Sequence, residues 1–123
     1  MIDRLYEKIG GRSKINAAVE LFYRKVMADE RLYHFFDGVD LNHLHARQSM
    51  FLSMLMGGEV VYTGRQIRTA HAGPRKHGMD DTHFDALLAH FRTALEELGI
   101  DGEAVSEMMT RLEGTRKDVL GRA

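Results

Sequence analysis

Residues 40–58 read DLNHLHARQSMFLSMLMGG, and the fold class turns on this stretch. Leu41, Leu44, Gln48, Phe51 and Leu55 recur at alternating intervals of three and four, which places them on one face of an α-helix. Asp40 stands where a side-chain oxygen can accept from the first unpaired N–H groups, and Gly57-Gly58 ends the pattern. The same period returns three times. Ile15, Ala18, Val19, Phe22, Val26 and Met27 share a face, preceded by Gly10-Gly11 and a short turn around Leu5 and Ile9. Phe84, Leu87, Leu88, Phe91, Leu95 and Leu98 follow Asp80-Asp81 and stop at Gly99. Val105, Met108, Met109, Leu112 and Val119 form a fourth stripe, with Asp101 as its cap. No stretch alternates with the period of a strand pair, so the expected class is all-α. Neither an internal repeat nor a linker divides the chain, and residues 1–123 read as one domain.

Between Gly57 and Asp80 the rhythm fails. Gly57, Gly58, Gly64, Gly73, Pro74 and Gly78 leave room for only a short helix over Arg65 to Ala72. A long, glycine-rich segment inside a compact helical domain is uncommon unless it serves function. It carries His71, in the short amphipathic run Ile67-Arg68-Thr69-Ala70-His71-Ala72. Four helices with one loose wall make a suitable container for a flat cofactor.

Composition narrows the choice of chemistry. Acids and bases are interspersed, the formal net charge is -1, and no block of Lys or Arg points to nucleic acid. Cysteine is absent, which excludes disulfides, thiolate metal sites and thiol catalysis. The opening Met1-Ile2-Asp3-Arg4 has no apolar signal core, and no apolar run reaches the roughly 18 residues of a membrane span. The expectation is a cytoplasmic protein. Seven histidines against one proline raise the question of a metal, because histidine is its commonest ligand.

Position answers part of that question. His43 and His45 lie two apart on a helix and face different directions. His83 and His90 are seven apart, two turns, too far for one ion, and no HExxH or paired ExxH motif is present. Most of the histidines read as solvated surface residues. His71, in the loose wall, reads as a ligand or as a structural histidine. Tyr23 and Gln48 are polar residues on apolar faces, where an unpartnered hydroxyl or amide costs roughly 1–3 kcal/mol. Either they satisfy each other at the core edge, or both point at a bound ligand that accepts hydrogen bonds.

Taken in order, several short motifs resemble the group I truncated haemoglobins almost end to end. Leu5-Tyr6-Glu7-Lys8-Ile9-Gly10-Gly11 looks like that family's opening, and Phe22-Tyr23 with the following Arg24 to Glu30 looks like its distal helix. Phe35-Phe36-Asp37-Gly38-Val39-Asp40 resembles its Phe-Phe corner, and Gly57-Gly58 its second Gly-Gly. Ala70-His71 and His83-Phe84 match the proximal turn and the start of the next helix. The resemblance implies a shortened globin, a two-over-two helical sandwich around haem.

Residue by residue, it makes His71 the proximal ligand of haem iron and Tyr23 the distal hydroxyl, with Gln48 completing its network. Leu44 becomes the apolar residue one turn before Gln48. Phe36, Phe51 and Phe84 pack on the haem, and Arg47 sits at the pocket mouth near a propionate. Oxygen on ferrous iron carries partial negative charge, which phenol and amide donors in a low-dielectric pocket stabilise.

Two departures refine the picture. Some cyanobacterial members carry a histidine where Arg47 stands, and it can bind the iron; a guanidinium stays protonated and cannot, so five-coordinate iron is expected. Some attach haem covalently through a histidine of the last helix, where this chain has Thr115, so the expected cofactor is non-covalent haem b. The Leu44, Arg47, Gln48 arrangement is closer to mycobacterial members, for which nitric oxide dioxygenation is implied. That activity takes O2 and NO to nitrate and needs an external reductase, since no flavin or nicotinamide fingerprint is present. The expected ligands are therefore O2, NO and CO. A gas sensor, or an O2 carrier or store without turnover, is the alternative; a plain helical interaction domain with incidental histidines is the third reading.

Overall fold

The computed structural model describes residues 4–57 and 78–122. Six α-helices and one 3-10 turn make up the described part: α1 (Leu5–Ile9), α2 (Gly11–Met27), the 3-10 turn Tyr33–Phe36, α3 (Leu41–Leu55), α4 (Asp81–Glu97), α5 (Gly102–Glu113) and α6 (Arg116–Val119). The helix pair α2/α3 lies over the pair α4/α5, with α2 packed on both α3 and α4, and α5 on both α4 and α3. This is the all-α, two-over-two arrangement expected from the periodicity and the resemblance.

Local chemistry sets the helix ends. Asp40 accepts from the backbone N–H of Asn42 at 3.1 Å and of His43 at 3.3 Å, which starts α3. Asp101 does the same for α5 through Glu103 and Ala104. At α4 the cap is reciprocal: Asp80 accepts from Thr82 and His83, and the Asp80 N–H donates to His83 Nδ1 at 3.1 Å. Gly10 ends α1 at φ 115°, a left-handed conformation that lets α2 begin at once in a new direction.

Apolar faces meet in one core, with Val26, Leu32, Met56, Leu95 and Met108 wholly enclosed. The end of α3 is tied from two sides. The Tyr6 N–H donates to Met56 O at 3.0 Å, and Arg111 Nη1 donates to Leu55 O at 2.7 Å. These bonds anchor the last described turn before the glycine-rich segment.

Three expectations need correction. Met27 does not join the buried face of α2; as the last residue of that helix it is 39% exposed. The fourth stripe is not one helix. Gly114 caps α5, the Thr115 N–H and Oγ1 both donate to Leu112 O three residues back, and α6 restarts at Arg116. The histidines are less solvated than expected: His83 caps α4, His90 Nε2 lies 2.7 Å from Asp29 Oδ2, and His45 is half-buried.

Candidate functional site

An apolar cavity opens between the two helix pairs. Val19, Phe22 and Tyr23 line it from α2, and Leu44, Gln48, Phe51 and Leu52 from α3, with Phe36 at the corner between them. The opposite wall is Phe84, Leu87, Leu88 and Phe91 of α4, with Leu112, Thr115 and Val119 behind. Met79, buried at the edge of the described chain, completes it. Helical spacing explains the set: Leu44, Gln48 and Phe51 lie one turn apart on α3, as do Phe84, Leu88 and Phe91 on α4.

Of the residues singled out in the sequence, Tyr23, Leu44, Gln48, Phe36, Phe51 and Phe84 are brought together on this wall. Arg47 is exposed on α3 and is not part of the lining. His71 lies outside the described residues.

Among the described residues, three polar side chains line the cavity. Thr115 Oγ1 is engaged by Leu112 O at 2.7 Å. That leaves Tyr23 and Gln48. Tyr23 is 3% exposed, and its burial pushes the phenol far above its ordinary value of 10.0, so it stays a neutral hydroxyl across the physiological range. A hydrogen bond from the Gln48 side chain works in the opposite direction, favouring the phenolate, as a donor to the phenol oxygen does. Tyr23 and Gln48 thus act on one another within the cavity, with Tyr23 present as the neutral phenol.

Aromatic packing holds that phenol. Phe22 and Phe36 meet the Tyr23 ring edge-on, with centroids at 4.9 and 5.6 Å, and the His45 imidazole stacks on it at 4.8 Å and 18°. Sequence reasoning missed His45. The signal was present, because His45, Gln48, Leu52 and Leu55 also follow a three-four spacing from Leu41.

Comparison with known proteins agrees with this architecture. The bacterial-like globin family model matches residues 4–120. A group 1 truncated hemoglobin of Tetrahymena pyriformis is 42% identical over 118 residues, covering 96% of this chain and 95% of the relative. One from Synechocystis is 36% identical over 121 residues, covering 96% and 98%. Among solved structures, the Fe(III) form of the Tetrahymena pyriformis protein superposes with a TM-score of 0.84, at 42% identity, covering 94% of this chain and 97% of that one. The 2/2 hemoglobin of Synechococcus, in the cyanomet state with covalently attached heme, superposes at 0.89, with 37% identity over 96% and 98% of the two chains. Among the described residues no helix is long and apolar enough to cross a membrane. The chain therefore belongs to the bacterial-like globins, with the group 1 truncated haemoglobins, a family that binds diatomic gases through haem.

Proposed function

We propose that residues 1–123 act as one haem domain in the cytoplasm, holding non-covalent haem b through His71 and presenting O2 to NO for conversion to nitrate. The carrying observation is the Tyr23–Gln48 pair: among the described residues, the two polar side chains of an otherwise apolar lining for which Thr115's bond to a backbone carbonyl has no counterpart. The lining suits a flat apolar macrocycle, since among the described residues five phenylalanines contribute to it and no charged side chain does.

Haem supplies an open iron position for O2, NO or CO, and the chain's residues do the rest. Tyr23 would donate a hydrogen bond to a gas bound in the cavity, and Gln48 would orient Tyr23. Leu44 and Phe51 keep water from competing for that proton. Phe36 and Phe84 would flank the macrocycle, and Arg47, exposed on α3, would pair with a propionate at the mouth. With Leu44 and Arg47 in the distal helix, neither of these side chains would compete for the iron, and a five-coordinate ferrous form would follow. Thr115 offers no imidazole for covalent attachment.

Solved variants of the Tetrahymena pyriformis protein support the distal assignment. One alters a tyrosine and two alter glutamines. That tyrosine and the later glutamine stand at the same separation as Tyr23 and Gln48, while the earlier glutamine falls at Leu44.

The test is rapid mixing of the oxygenated protein with NO. One nitrate per haem, formed within the mixing time and leaving a ferric spectrum, is the expected result. Slow or substoichiometric nitrate would transfer the assignment to a gas sensor or an O2 carrier. Purified protein without a Soret band would remove haem altogether. Sustained turnover requires a separate reductase.

A further inference from the structure

His45 neither caps a helix nor pairs with an acid. Its imidazole lies against one face of the Tyr23 ring, while two phenylalanines hold that ring by its edges. His45 Nε2 is buried without a hydrogen-bond partner, and the residue does not line the cavity. The imidazole thus serves Tyr23 as a flat packing surface, and its buried nitrogen adds no bond. A phenol has one donor, and a donated hydrogen bond weakens steeply once misaligned. A surface that fixes the ring therefore fixes where the proton is aimed.

We propose that His45 is the positioning residue for Tyr23: its stacked imidazole sets the direction in which the Tyr23 hydroxyl donates to a gas in the cavity. This rests on the gas-binding role of Tyr23 proposed above. It predicts opposite behaviour for two substitutions. His45→Phe keeps the stacked face and removes the unpartnered nitrogen. Its O2 dissociation rate should stay within about two-fold of the parent, a change far below the ten-fold of 1.4 kcal/mol, and its Tm should rise. His45→Leu fills the volume without a stacking face. O2 dissociation should then speed roughly three- to ten-fold, part of the loss expected for a hydrogen bond to a polarised group. CO dissociation should barely change, while the C–O stretching frequency moves toward that of Tyr23→Phe.

The experiment measures Tm, O2 and CO dissociation and the C–O stretch for both variants and for Tyr23→Phe with and without His45→Leu. In the Tyr23→Phe background, His45→Leu should add nothing, because there is no hydroxyl left to aim. If His45→Leu fails to hold haem, His45→Met carries that arm. Parent-like dissociation in His45→Leu while Tyr23→Phe is fast would overturn the positioning role alone. So would equal damage from Phe and Leu, or an added effect in the Tyr23→Phe background. Unchanged dissociation in Tyr23→Phe itself would remove the gas-binding role on which the inference stands.

Discussion

The guanidinium carbon of Arg116 lies 4.7 Å from the centroid of the Phe84 ring, and that ring forms part of the cavity wall. Arg116 is held there by Asp81, Asp85 and Glu113, from α4 and the end of α5. Its neighbours Thr115 and Val119 also line the cavity. The short C-terminal helix thus acts as a clamp: an ion network on its outside fixes an aromatic on its inside.

Removing that clamp should loosen the pocket. Arg116→Ala loses a cation–π contact and the methylene packing beneath it, and takes one guanidinium from Asp85, Glu113 and Asp81, of which Asp81 keeps Arg122. A cost of roughly 1–2 kcal/mol follows, given partial exposure of the network. Thermal unfolding of the holoprotein should shift down by several degrees, and haem should pass to an excess of a scavenger apoglobin several-fold faster. Arg116→Lys restores charge without the planar fork and should fall between the two. Unchanged haem transfer in Arg116→Ala would mean that Phe84 is held by its apolar neighbours alone.

His71 is tested by cavity replacement. His71→Gly should express as an apoprotein or bind haem weakly, and added imidazole should restore the haem spectrum. Normal haem content without imidazole would show that another residue ligates.

The acid limb of stability should depend on Asp29. Its carboxylate accepts from Arg31 Nη2 at 2.7 Å and faces His90 Nε2 at 2.7 Å; Arg31 first, then His90, hold its carboxyl far below the ordinary 3.8. Lys25 and Glu30 line the same surface. Because the folded pKa is depressed, the unfolded chain binds the proton more readily. The stabilisation is therefore complete above the unfolded value and is lost as pH falls through the folded one. Asp29→Asn should lower Tm by a few degrees at pH 7, consistent with about 1 kcal/mol for a partly exposed pair. The two melting curves should begin to approach one another as pH falls below the ordinary 3.8 and meet only well below it. A constant difference in Tm across the acid range would mean that Asp29 acts by shape.

How much of this was legible beforehand depended on what periodicity can see. The stripes of α2, α3 and α4 and the caps Asp40, Asp80 and Asp101 were legible, because burial and unpaired N–H groups dictate residue types at fixed intervals. The break at Gly114 was not. Val119 keeps helical phase with Leu112 although the regular helix is interrupted at Gly114 and Thr115, so the stripe runs on unbroken through the interruption. Tyr23 and Gln48 stood out as polar residues on apolar faces. His45 did not: its three-four spacing from Leu41 marks an inward face, but a half-buried histidine looks the same in sequence as a solvated one. Arg116 was hidden for a related reason: its three acids are distant in sequence or masked by ordinary helix spacing.

Tyr23 and Gln48 should behave as one unit, and this is the sharpest test of the pocket. A hydrogen bond to a polarised group contributes roughly 1.5–3 kcal/mol, and 1.4 kcal/mol is about a factor of ten in equilibrium. Tyr23→Phe removes the donor while preserving the ring against Phe22, Phe36 and His45, so O2 dissociation should speed by roughly ten-fold or more on those magnitudes. CO is a poorer acceptor, and its dissociation should change far less. Gln48→Leu withdraws the bond to the phenol oxygen, freeing Tyr23 to turn, and should also speed O2 loss. Once the hydroxyl is gone Gln48 has nothing to orient, so the double variant should fall short of the sum of the singles. Stopped-flow dissociation of both gases from the two single variants and the double decides the matter. Equal effects on O2 and CO would show that Tyr23 acts by size, and strict additivity would show that the pair does not work as a network.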